Sequence, residues 1–293
     1  MLEAFGQNII SGILVGALYG LAASGLSLTF GVLKILNIAH GELIMLGGYA
    51  AFWMFHLYGI DPFLGLLLVI PLLSLLGWVL HKGLFVNVVK FGEEKRIKNS
   101  LLVGFGLTLI LQSAAIQLWT ADERSITTAY AAFSLELAGI RLPVVRLAGL
   151  VIALIIVISL ELFLKRTYWG NAIRATAEDW ETASLSGINI QSTYLLTFVF
   201  GAALAGVAGT LVSVGFSINP AIGLHWTLKA LIVVVLAGLG SIPGTFLAGV
   251  LLGAAESTSA YLMGGAYREL VGLLLFLIIL SVRPQGLFGG GRA

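Results

Sequence analysis

Eight apolar stretches of about 20 residues each constrain the fold of this chain more than any other feature of its sequence. A stretch of this length crosses the hydrocarbon core of a bilayer as an α-helix, and a helix satisfies its own backbone hydrogen bonds where no water is present. The predicted spans lie near residues 8–30, 40–57, 62–82, 100–120, 147–164, 191–214, 243–261 and 266–283. A shorter apolar run at residues 227–240 is ambiguous.

The composition agrees with a membrane protein. Of the 293 residues, 59% are hydrophobic and 10% are charged, whereas soluble domains carry about 25% charged residues. The sequence has no Pro/Ser/Gly-rich linker, no low-complexity tract and no repeat with a solenoid period. We therefore expect a single domain over residues 1–293, an all-α polytopic transmembrane helical bundle with about 8–9 spans.

Lysine and arginine set the expected orientation, because positively charged loops stay in the cytoplasm. Five of them lie within residues 82–98, and others lie at 165–174 and after residue 282. A tail on the same side as residues 82–98 requires the run at 227–240 to cross as a short helix. This arrangement gives nine passes and an external N-terminus, with the loop 121–146 outside. The alternative is a tail on the outside.

A polar island at residues 171–187 separates two apolar spans and indicates a docking element. It predicts a short helix at the membrane surface that carries the carboxylates Glu178, Asp179 and Glu181. The carboxylates are expected to lie about one turn ahead of the small residues Ala183 and Gly187, which would let a partner approach the backbone closely. The island is the best indication of function among the residue patterns.

The first of two polar interruptions lies within residues 31–42. It places Asn37, His40 and Glu42 between two spans with almost no ordinary loop. Such a segment is either a discontinuous helix, buried in protein or lining an aqueous cavity, or a tight cytoplasmic turn with a charged cap. The residues alone leave both alternatives open.

The second interruption joins the run at 227–240 to the next span. Glycine and proline punctuate it, at Gly240, Pro243 and Gly244. Because proline is tolerated in the first turn of a helix and not in its interior, this pattern predicts the end of one helix and the start of another.

No motif predicts catalysis, a cofactor or a metal site. The sequence lacks a phosphate-binding loop for ATP, a His-Glu-x-x-His zinc pair and a Gly-x-Ser-x-Gly elbow, and it contains no cysteine. No basic tract indicates nucleic acid. Five charged residues lie near predicted span ends, where we expect their side chains to reach the interface: Glu161, Lys229, Glu256, Arg268 and Glu269. No carboxylate is clearly placed at a span centre, which argues against a proton- or sodium-driven carrier.

Four groups of residues, taken in order, resemble the inner-membrane permease subunits of bacterial branched-chain amino acid ABC importers. They are Gly25-Leu-Ser-Leu-Thr-Phe-Gly31 leading into Asn37-Ile-Ala-His-Gly-Glu42, Arg174-Ala-Thr-Ala-Glu-Asp179 with Ala183 and Gly187-Ile-Asn189, Gly238-Leu-Gly-Ser-Ile-Pro-Gly244, and Arg283-Pro-Gln-Gly-Leu-Phe-Gly289. The resemblance covers nearly the whole chain. The island departs from the Glu-Ala-Ala pattern of other importers, with Glu181-Thr-Ala183 in its place.

The resemblance implies that the island is a coupling helix on which cytoplasmic ATPase subunits act. Its expected residues are Arg174, Glu178, Asp179, Glu181, Ala183 and Gly187. The implied partners are a second related permease subunit, two ATPase subunits and an external substrate-binding protein, in the inner (plasma) membrane of a bacterium. The chain itself is then not an enzyme.

The implied cargo is leucine, isoleucine or valine, although relatives of this kind also serve other amino acids, urea or short amides. On this model the pathway is lined in part by residues 31–42, with Asn37 and His40 as candidates, and by the small-residue faces of residues 191–214. Two alternatives come from other classes. One is a stand-alone channel or secondary carrier for a small polar solute such as urea or an amide, and the other is an intramembrane enzyme.

Overall fold

The structure is a computed structural model that describes residues 2–137, 139–238 and 240–289. Its helices are α1 Leu2–Leu33, α2 His40–Tyr58, α3 Pro62–Leu80, α4 Val86–Val88, α5 Glu93–Trp119, α6 Val144–Arg166, α7 Tyr168–Glu178, α8 Trp180–Leu185, α9 Ile190–Gly215, α10 Ile222–Ala237, α11 Ile242–Met263 and α12 Arg268–Val282. A π-helical turn at His81–Phe85 joins α3 to α4, and a 3₁₀ turn at Gly265–Tyr267 precedes α12. The antiparallel strands β1 Ser134–Leu137 and β2 Ile140–Pro143 form a hairpin between α5 and α6.

The predicted all-α bundle is confirmed. Within the described residues, seven helices are long and apolar enough to cross a bilayer, with α3 and α4 counted as one continuous helix. The span predicted at residues 40–57 corresponds to the 19-residue helix α2, which is not one of these seven helices. The ambiguous run at 227–240 belongs to α10, a shorter apolar helix of 16 residues that begins at Ile222. The sequence did not predict the β hairpin, whose eight paired residues fall within the loop 121–146.

The helices run between two ends of the bundle, which we name the hairpin end and the basic end. At the hairpin end, the Gln7 side chain near the start of α1 donates a 2.7 Å hydrogen bond to the backbone oxygen of Arg141 in β2. Arg124 pairs there with Ile218, which follows α9. The basic end contains residues 89–92, helices α7 and α8, and the segment after α12.

The two ends of the described chain lie at opposite ends of the bundle. The N-terminus of α1 is at the hairpin end, and the segment after α12 is at the basic end, where Leu287 N donates a 2.8 Å hydrogen bond to Leu236 O at the end of α10. Because the two ends of the described chain lie on opposite sides, the chain crosses the bundle an odd number of times. This fits the model of nine passes, in which α10 crosses as a short helix.

Residues 82–98 form less loop than we expected. Only residues 89–92 separate α4 from α5, which begins at Glu93 rather than near residue 100. Glutamate and lysine favour helices, and the Lys98 Nζ atom lies 2.6 Å from Glu94 Oε1, one turn away. Arg96 is buried in this extension and donates hydrogen bonds to Leu33 O at 3.1 Å and to the Tyr194 hydroxyl at 3.2 Å. It therefore ties α1, α5 and α9 together at the basic end.

Small residues allow the closest helix contacts, because a bilayer offers little hydrophobic driving force for helix association. A Cβ atom at Gly16 of α1 would lie only 2.6 Å from the backbone oxygen of Gly249 in α11. A Cβ atom at Gly47 of α2 would lie 2.6 Å from Gly206 Cα in α9. Of the seven long helices, α1 and α9 are the most buried, so these contacts lie at the centre of the bundle.

The expectation that all five charged residues near span ends reach the interface is wrong for Lys229 and Glu256. They are only 5% and 0% exposed. The Lys229 Nζ atom lies 2.6 Å from Glu256 Oε1, while the Tyr19 hydroxyl donates to Oε2 at 3.2 Å. Arg268 Nε lies 3.4 Å from the same Oε2 atom. A run of apolar residues does not reveal that a neighbouring helix supplies the opposite charge, so the pair was missed.

Candidate functional site

Between α6 and α9 the chain forms the two short helices α7 and α8 at the basic end. Thr167 begins α7, because its Oγ1 atom accepts a 3.0 Å hydrogen bond from Gly170 N. The helix is amphipathic: its buried positions include Ala172, Ile173 and Thr176, and its exposed positions include Asn171, Arg174 and Glu178. The predicted surface helix is thus present, but it is divided into two.

Asp179 causes this division. Its backbone is extended, and its Oδ1 atom accepts hydrogen bonds from Glu181 N at 3.0 Å and Thr182 N at 3.3 Å, which caps the start of α8. A hydrogen bond from the Thr182 hydroxyl, together with those from the two amides, stabilises the carboxylate and lowers the pKa of Asp179. Asp179 therefore shapes the site as a helix cap.

Gly187 ends α8 in a left-handed conformation with φ of 85°. Ile188 N donates to Ala183 O at 3.1 Å, and Gly187 N donates to Ser184 O at 3.0 Å. This is the hydrogen-bond pattern of a Schellman motif, in which glycine is favoured because a Cβ atom would strain the backbone. The helix end thus gives Gly187 a conformational role.

The expectation for Ala183 requires a correction. Its side chain is only 4% exposed, so it offers no close approach to an external partner. The two small residues of the island therefore differ: Ala183 is buried, whereas Gly187 is exposed and has no neighbour within 4 Å of a Cβ position. The period of a single straight helix, which we assumed from the sequence, does not hold across Asp179.

The sequence analysis did not predict that two large apolar side chains on α8 are exposed. Leu185 is 90% exposed and Trp180 is 47% exposed, although α8 lies outside the apolar spans. They flank the exposed Glu181 along the same short helix. Large apolar side chains that project from a polar segment form the kind of surface that another protein covers. The only signal in the sequence was the presence of isolated apolar residues inside a polar island.

The first interruption, at residues 34–39, is buried inside the bundle. The His40 Nε2 atom lies 2.9 Å from Ala22 O, and Ala22 precedes the end of α1 by a distance of about 16 Å along the helix axis. Six extended residues span about 20 Å and so cover this distance. The chain therefore rises from the basic end, and α2 begins deep within the bundle. Of the two alternatives, the structure matches a discontinuous segment buried in protein.

The first turns of α2 and α10 meet at this depth. The Thr227 Oγ1 atom lies 2.8 Å from Ile38 O and accepts a 2.9 Å hydrogen bond from Gly41 N. The Glu42 carboxylate packs against Gly223, where a Cβ atom would overlap it. Because helix N-termini carry partial positive charge, the two helix starts favour a negative group at this junction.

The three candidate pathway residues Asn37, His40 and Glu42 all lie around this junction. Each is at most 2% exposed. Within the described ranges, Asn37 Oδ1 and Glu42 Oε2 have no hydrogen-bond partner. None of the three side chains lines the cavity of about 730 Å³ that opens at the basic end between α1, α7 and α10, and their part in transport remains a prediction.

The second interruption is a short turn between α10 and α11. Gly238 and Gly240 have φ values of 81° and 107°, a conformation that favours glycine. Ser241 caps α11 by accepting a 3.0 Å hydrogen bond from Gly244 N, and Pro243 lies in the first turn. One helix ends and another begins here, as the glycine and proline pattern predicts.

The chain after α12 folds back onto this turn. Phe288 N donates a 2.8 Å hydrogen bond to Ala237 O. A Cβ atom at Gly244 would lie 2.7 Å from Phe288 Cβ. The closing motif at residues 283–289 and the interruption at residues 238–244 therefore form one structure, although 38 or more residues separate them along the chain.

A cavity of about 730 Å³ opens at the basic end between α1, α7, α10 and the segment after α12. Its charged lining residues are Lys34, Arg174 and Glu178. A second cavity, of about 770 Å³, lies between α7, α8 and the start of α5, and Lys34 and Glu178 line both cavities. The two α7 residues predicted from the sequence, Arg174 and Glu178, thus line a cavity that is open at the basic end.

Among residues 2–137, 139–238 and 240–289, no group of three His, Cys, Asp or Glu side chains is positioned to hold a metal ion. The charged lining of the 730 Å³ cavity consists of two cations and one carboxylate. This set suits contacts with a polar organic molecule, whereas hard metal ions require several oxygen ligands.

Comparison with known proteins identifies relatives over nearly the whole length. The family model described as "Branched-chain amino acid transport system / permease component" matches residues 8–280. The high-affinity branched-chain amino acid transport system permease protein BraD of Pseudomonas aeruginosa is 32% identical over 299 residues, with 97% of this chain and 95% of that protein covered. The corresponding permease protein LivH of Escherichia coli is 31% identical over 300 residues, with 97% and 96% covered.

A solved structure shares the fold. It is that of PsaBC from Streptococcus pneumoniae in complex with Fab, with a TM-score of 0.51 and 14% sequence identity. The match covers 97% of this chain and 97% of the matched chain. At this identity the likeness concerns the fold alone.

Proposed function

Because the chain belongs to the family of branched-chain amino acid transport permeases, we propose that it is the transmembrane permease subunit of an ABC importer that moves branched-chain or related amino acids into the cytoplasm. Residues 1–293 act as a single transmembrane permease domain in the inner (plasma) membrane of a bacterium. The basic end faces the cytoplasm, in agreement with its lysine and arginine residues.

The observation that carries this proposal is the helix pair α7–α8 at the basic end. The pair presents Arg174, Glu178 and Glu181 as charged groups, with Trp180 and Leu185 exposed beside them. An exposed surface that combines charges with large apolar side chains suits a protein partner. Helix α7 is also packed on the bundle through Ile173, so a displacement of α7 is transmitted to the spanning helices.

The partners of the proposed complex are a second related permease subunit, two cytoplasmic ATPase subunits and an external substrate-binding protein. The ATPase subunits hold and hydrolyse ATP, and their closure presses on α7 and α8. The permease then exchanges between inward-open and outward-open arrangements, whose populations shift with the nucleotide state. This chain performs no chemical step, so its contribution is to bind partners, to form a pathway and to change shape.

Co-purification and transport test the proposal. The affinity-tagged chain, expressed with its own operon partners, should co-elute with two ATPase subunits and should support ATP-dependent leucine uptake in proteoliposomes. Replacement of both Trp180 and Leu185 by serine should release the ATPase subunits while the permease remains inserted. As a matched control, Leu57 and Tyr58, also exposed but at the hairpin end, should tolerate the same replacement. Full leucine flux in the absence of any ATPase would contradict the proposal and support a channel or carrier.

A further inference from the structure

We propose that the 730 Å³ cavity at the basic end is an inward-side binding site for a zwitterionic aliphatic amino acid, and that α7 senses its occupancy. The inference rests on the proposed function, because the ligand belongs to the same chemical class as the cargo. It adds a location, a recognition chemistry and a route by which the imported product acts back on the importer.

The charged groups of the cavity match the two ends of an amino acid. Lys34 and Arg174 line it as cations that attract a carboxylate, and Glu178 lines it as an anion that attracts an ammonium group. Within the part of the chain that the structure describes, Lys34 and Glu178 form no salt bridge with each other or with any other residue. Arg174 donates one hydrogen bond from Nη2 to Asn171 Oδ1 at 2.6 Å, and its other donors remain for a ligand.

The remaining wall suits a branched aliphatic side chain. It is formed largely by apolar residues from six different helices, including Leu26, Leu164, Leu231, Val235 and Ile242. A cavity that is mostly apolar, with a few charged groups that fix orientation, is the usual composition of a small-molecule site, and about 730 Å³ lies within the usual range of volumes. Neither a simple anion nor a simple amine would contact the cationic groups, the carboxylate and the apolar wall together.

The backbone at Lys34 supports a functional role for this residue. Lys34 has φ of 54°, a left-handed conformation that is uncommon for a residue other than glycine. It follows the last residue of α1, where the chain turns back into the bundle. Unusual backbone conformations are found more often at binding sites, where the surrounding structure holds a side chain in place. Here the turn carries the lysine on the cavity wall.

Occupancy of the cavity acts on the coupling element because Arg174 and Glu178 both belong to α7. A ligand that bridges Lys34 and α7 favours the arrangement in which α7 lies against the end of α1. Accumulated product therefore holds the permease in one conformation and slows the next cycle, since a ligand shifts an equilibrium toward the state that it binds more tightly. The expected result is inhibition of uptake by the imported amino acid from the cytoplasmic side.

Cysteine protection in the purified, nucleotide-free complex tests the site without reference to transport. The chain contains no cysteine, so Val235→Cys places a single thiol of this chain on the cavity wall, and its labelling is followed by mass spectrometry of the permease. We expect millimolar leucine to slow the labelling severalfold. Glycine, 3-methylbutylamine and 4-methylpentanoate should protect much less, since each lacks one of the three recognised groups. Ser125→Cys at the hairpin end serves as a control that leucine should not protect.

The role of Lys34 is tested in the Val235→Cys background. Lys34→Asn removes the charge but keeps a residue that tolerates the left-handed conformation, and it should abolish the protection by leucine. Lys165→Met is the matched control, because Lys165 is at the same end and pairs with Glu161 instead of lining the cavity. Lys34→Gly provides a second neutral variant that fits the backbone, so a folding defect of one variant does not decide the result.

Transport then separates the two proposals. The proteoliposomes carry the substrate-binding protein outside and ATP inside. Luminal leucine should lower the initial rate of uptake severalfold in the wild type. In Lys34→Asn the initial rates with and without luminal leucine should be nearly equal. Leucine uptake that is insensitive to luminal leucine, together with no protection of Val235→Cys, would overturn the inference and leave the proposed function intact. A labelling rate that follows anionic lipid content and ignores leucine would assign the cavity to a lipid headgroup and would also overturn it. Absence of ATP-driven uptake with normal protection would contradict the proposed function only.

Discussion

Single residues at the basic end owe their roles to backbone conformation as well as to side-chain chemistry. Gly187 completes a Schellman motif with φ of 85°, and Asp179 caps the same helix from its other end. Both residues lie in the segment of the island that resembles a coupling helix. Their contribution is to hold six residues of α8 in a fixed helical turn, so that Trp180 and Leu185 project from the basic end.

We predict that Gly187→Trp abolishes uptake while the permease remains inserted. A side chain at this left-handed position costs about 1–2 kcal/mol and disturbs the end of α8, and the ring also stands where the ATPase must approach. ATPase co-purification and uptake in vesicles measure both effects. Ser186→Trp separates them, because Ser186 is exposed beside Gly187 but has an ordinary φ of −80°. Loss in both variants indicates steric exclusion, and loss in Gly187→Trp alone indicates backbone strain. Normal uptake by Gly187→Trp would refute the docking assignment.

We also predict that Asn37→Leu and His40→Leu lower substrate flux per ATP hydrolysed. His40 is bonded to Ala22 O at 2.9 Å inside the bundle, and an unsatisfied buried polar group costs about 1–3 kcal/mol. The substitutions therefore disturb the junction between α2 and α10. His56→Leu is the matched control, since His56 is exposed on the same helix. An unchanged rate and stoichiometry in both buried variants would argue against a role for this segment in the pathway.

At the scale of helices, the bundle is held by close contacts of small residues and by one buried charge cluster. Glycine pairs bring α1 to α11 and α2 to α9, so these contacts depend on shape. The Lys229–Glu256 pair adds a directional contact between α10 and α11, and Tyr19 and Arg268 extend it to α1 and α12. The short helix α10 is thereby fixed to three neighbours near the middle of its length.

Lys229→Met should destabilise the permease by about 3–5 kcal/mol, because it leaves the buried Glu256 carboxylate without its closest partner. The double variant Lys229→Met with Glu256→Met should recover much of this loss, since it removes both buried charges. Thermal unfolding in detergent, followed by tryptophan fluorescence, measures the difference. In Lys165→Met, where the lysine side chain is 61% exposed, the change should be about 0–1 kcal/mol. Equal losses of stability in Lys229→Met and Lys165→Met would show that the buried cluster contributes no more than an exposed ion pair.

At the scale of the whole molecule, the two ends of the bundle differ in charge and in architecture. The hairpin end carries residues 120–137 and 140–143, in which Arg141 bonds to α1 and Arg124 bonds to the segment after α9. The basic end carries the helix pair α7–α8 and both large cavities. The proposed importer places its energy source at the basic end and receives its substrate at the hairpin end.

The orientation is testable by labelling of single cysteines in this chain, which has none of its own. A cysteine that replaces Glu94, at the basic end, should be protected in intact cells from a thiol reagent that does not cross the membrane. A cysteine that replaces Ser125, at the hairpin end, should react. Both positions are exposed, so accessibility from the respective side alone decides the result. The opposite pattern would invert the proposed topology.

The sequence by itself determined the class of structure, the position of the spans and the family. Apolar runs of sufficient length have only the helical solution in a bilayer, so the spans were predicted to within a few residues over most of their length. The glycine and proline pattern around Pro243 likewise predicted a helix boundary, because these residues act on their own backbone. Spans and helix boundaries can be predicted because they depend on residues that are close together in the sequence.

Only the tertiary structure decided which residues meet. It paired Lys229 with Glu256 and buried Ala183, and it placed the start of α2 beside the start of α10. It also brought Lys34 and Glu178 to the wall of one cavity. These contacts join residues on different helices, and a one-dimensional pattern holds no information on which faces of two helices are opposed. Burial and charge pairing arise from that packing, which is why the junction, the ion pair and the cavity were beyond the reach of the sequence.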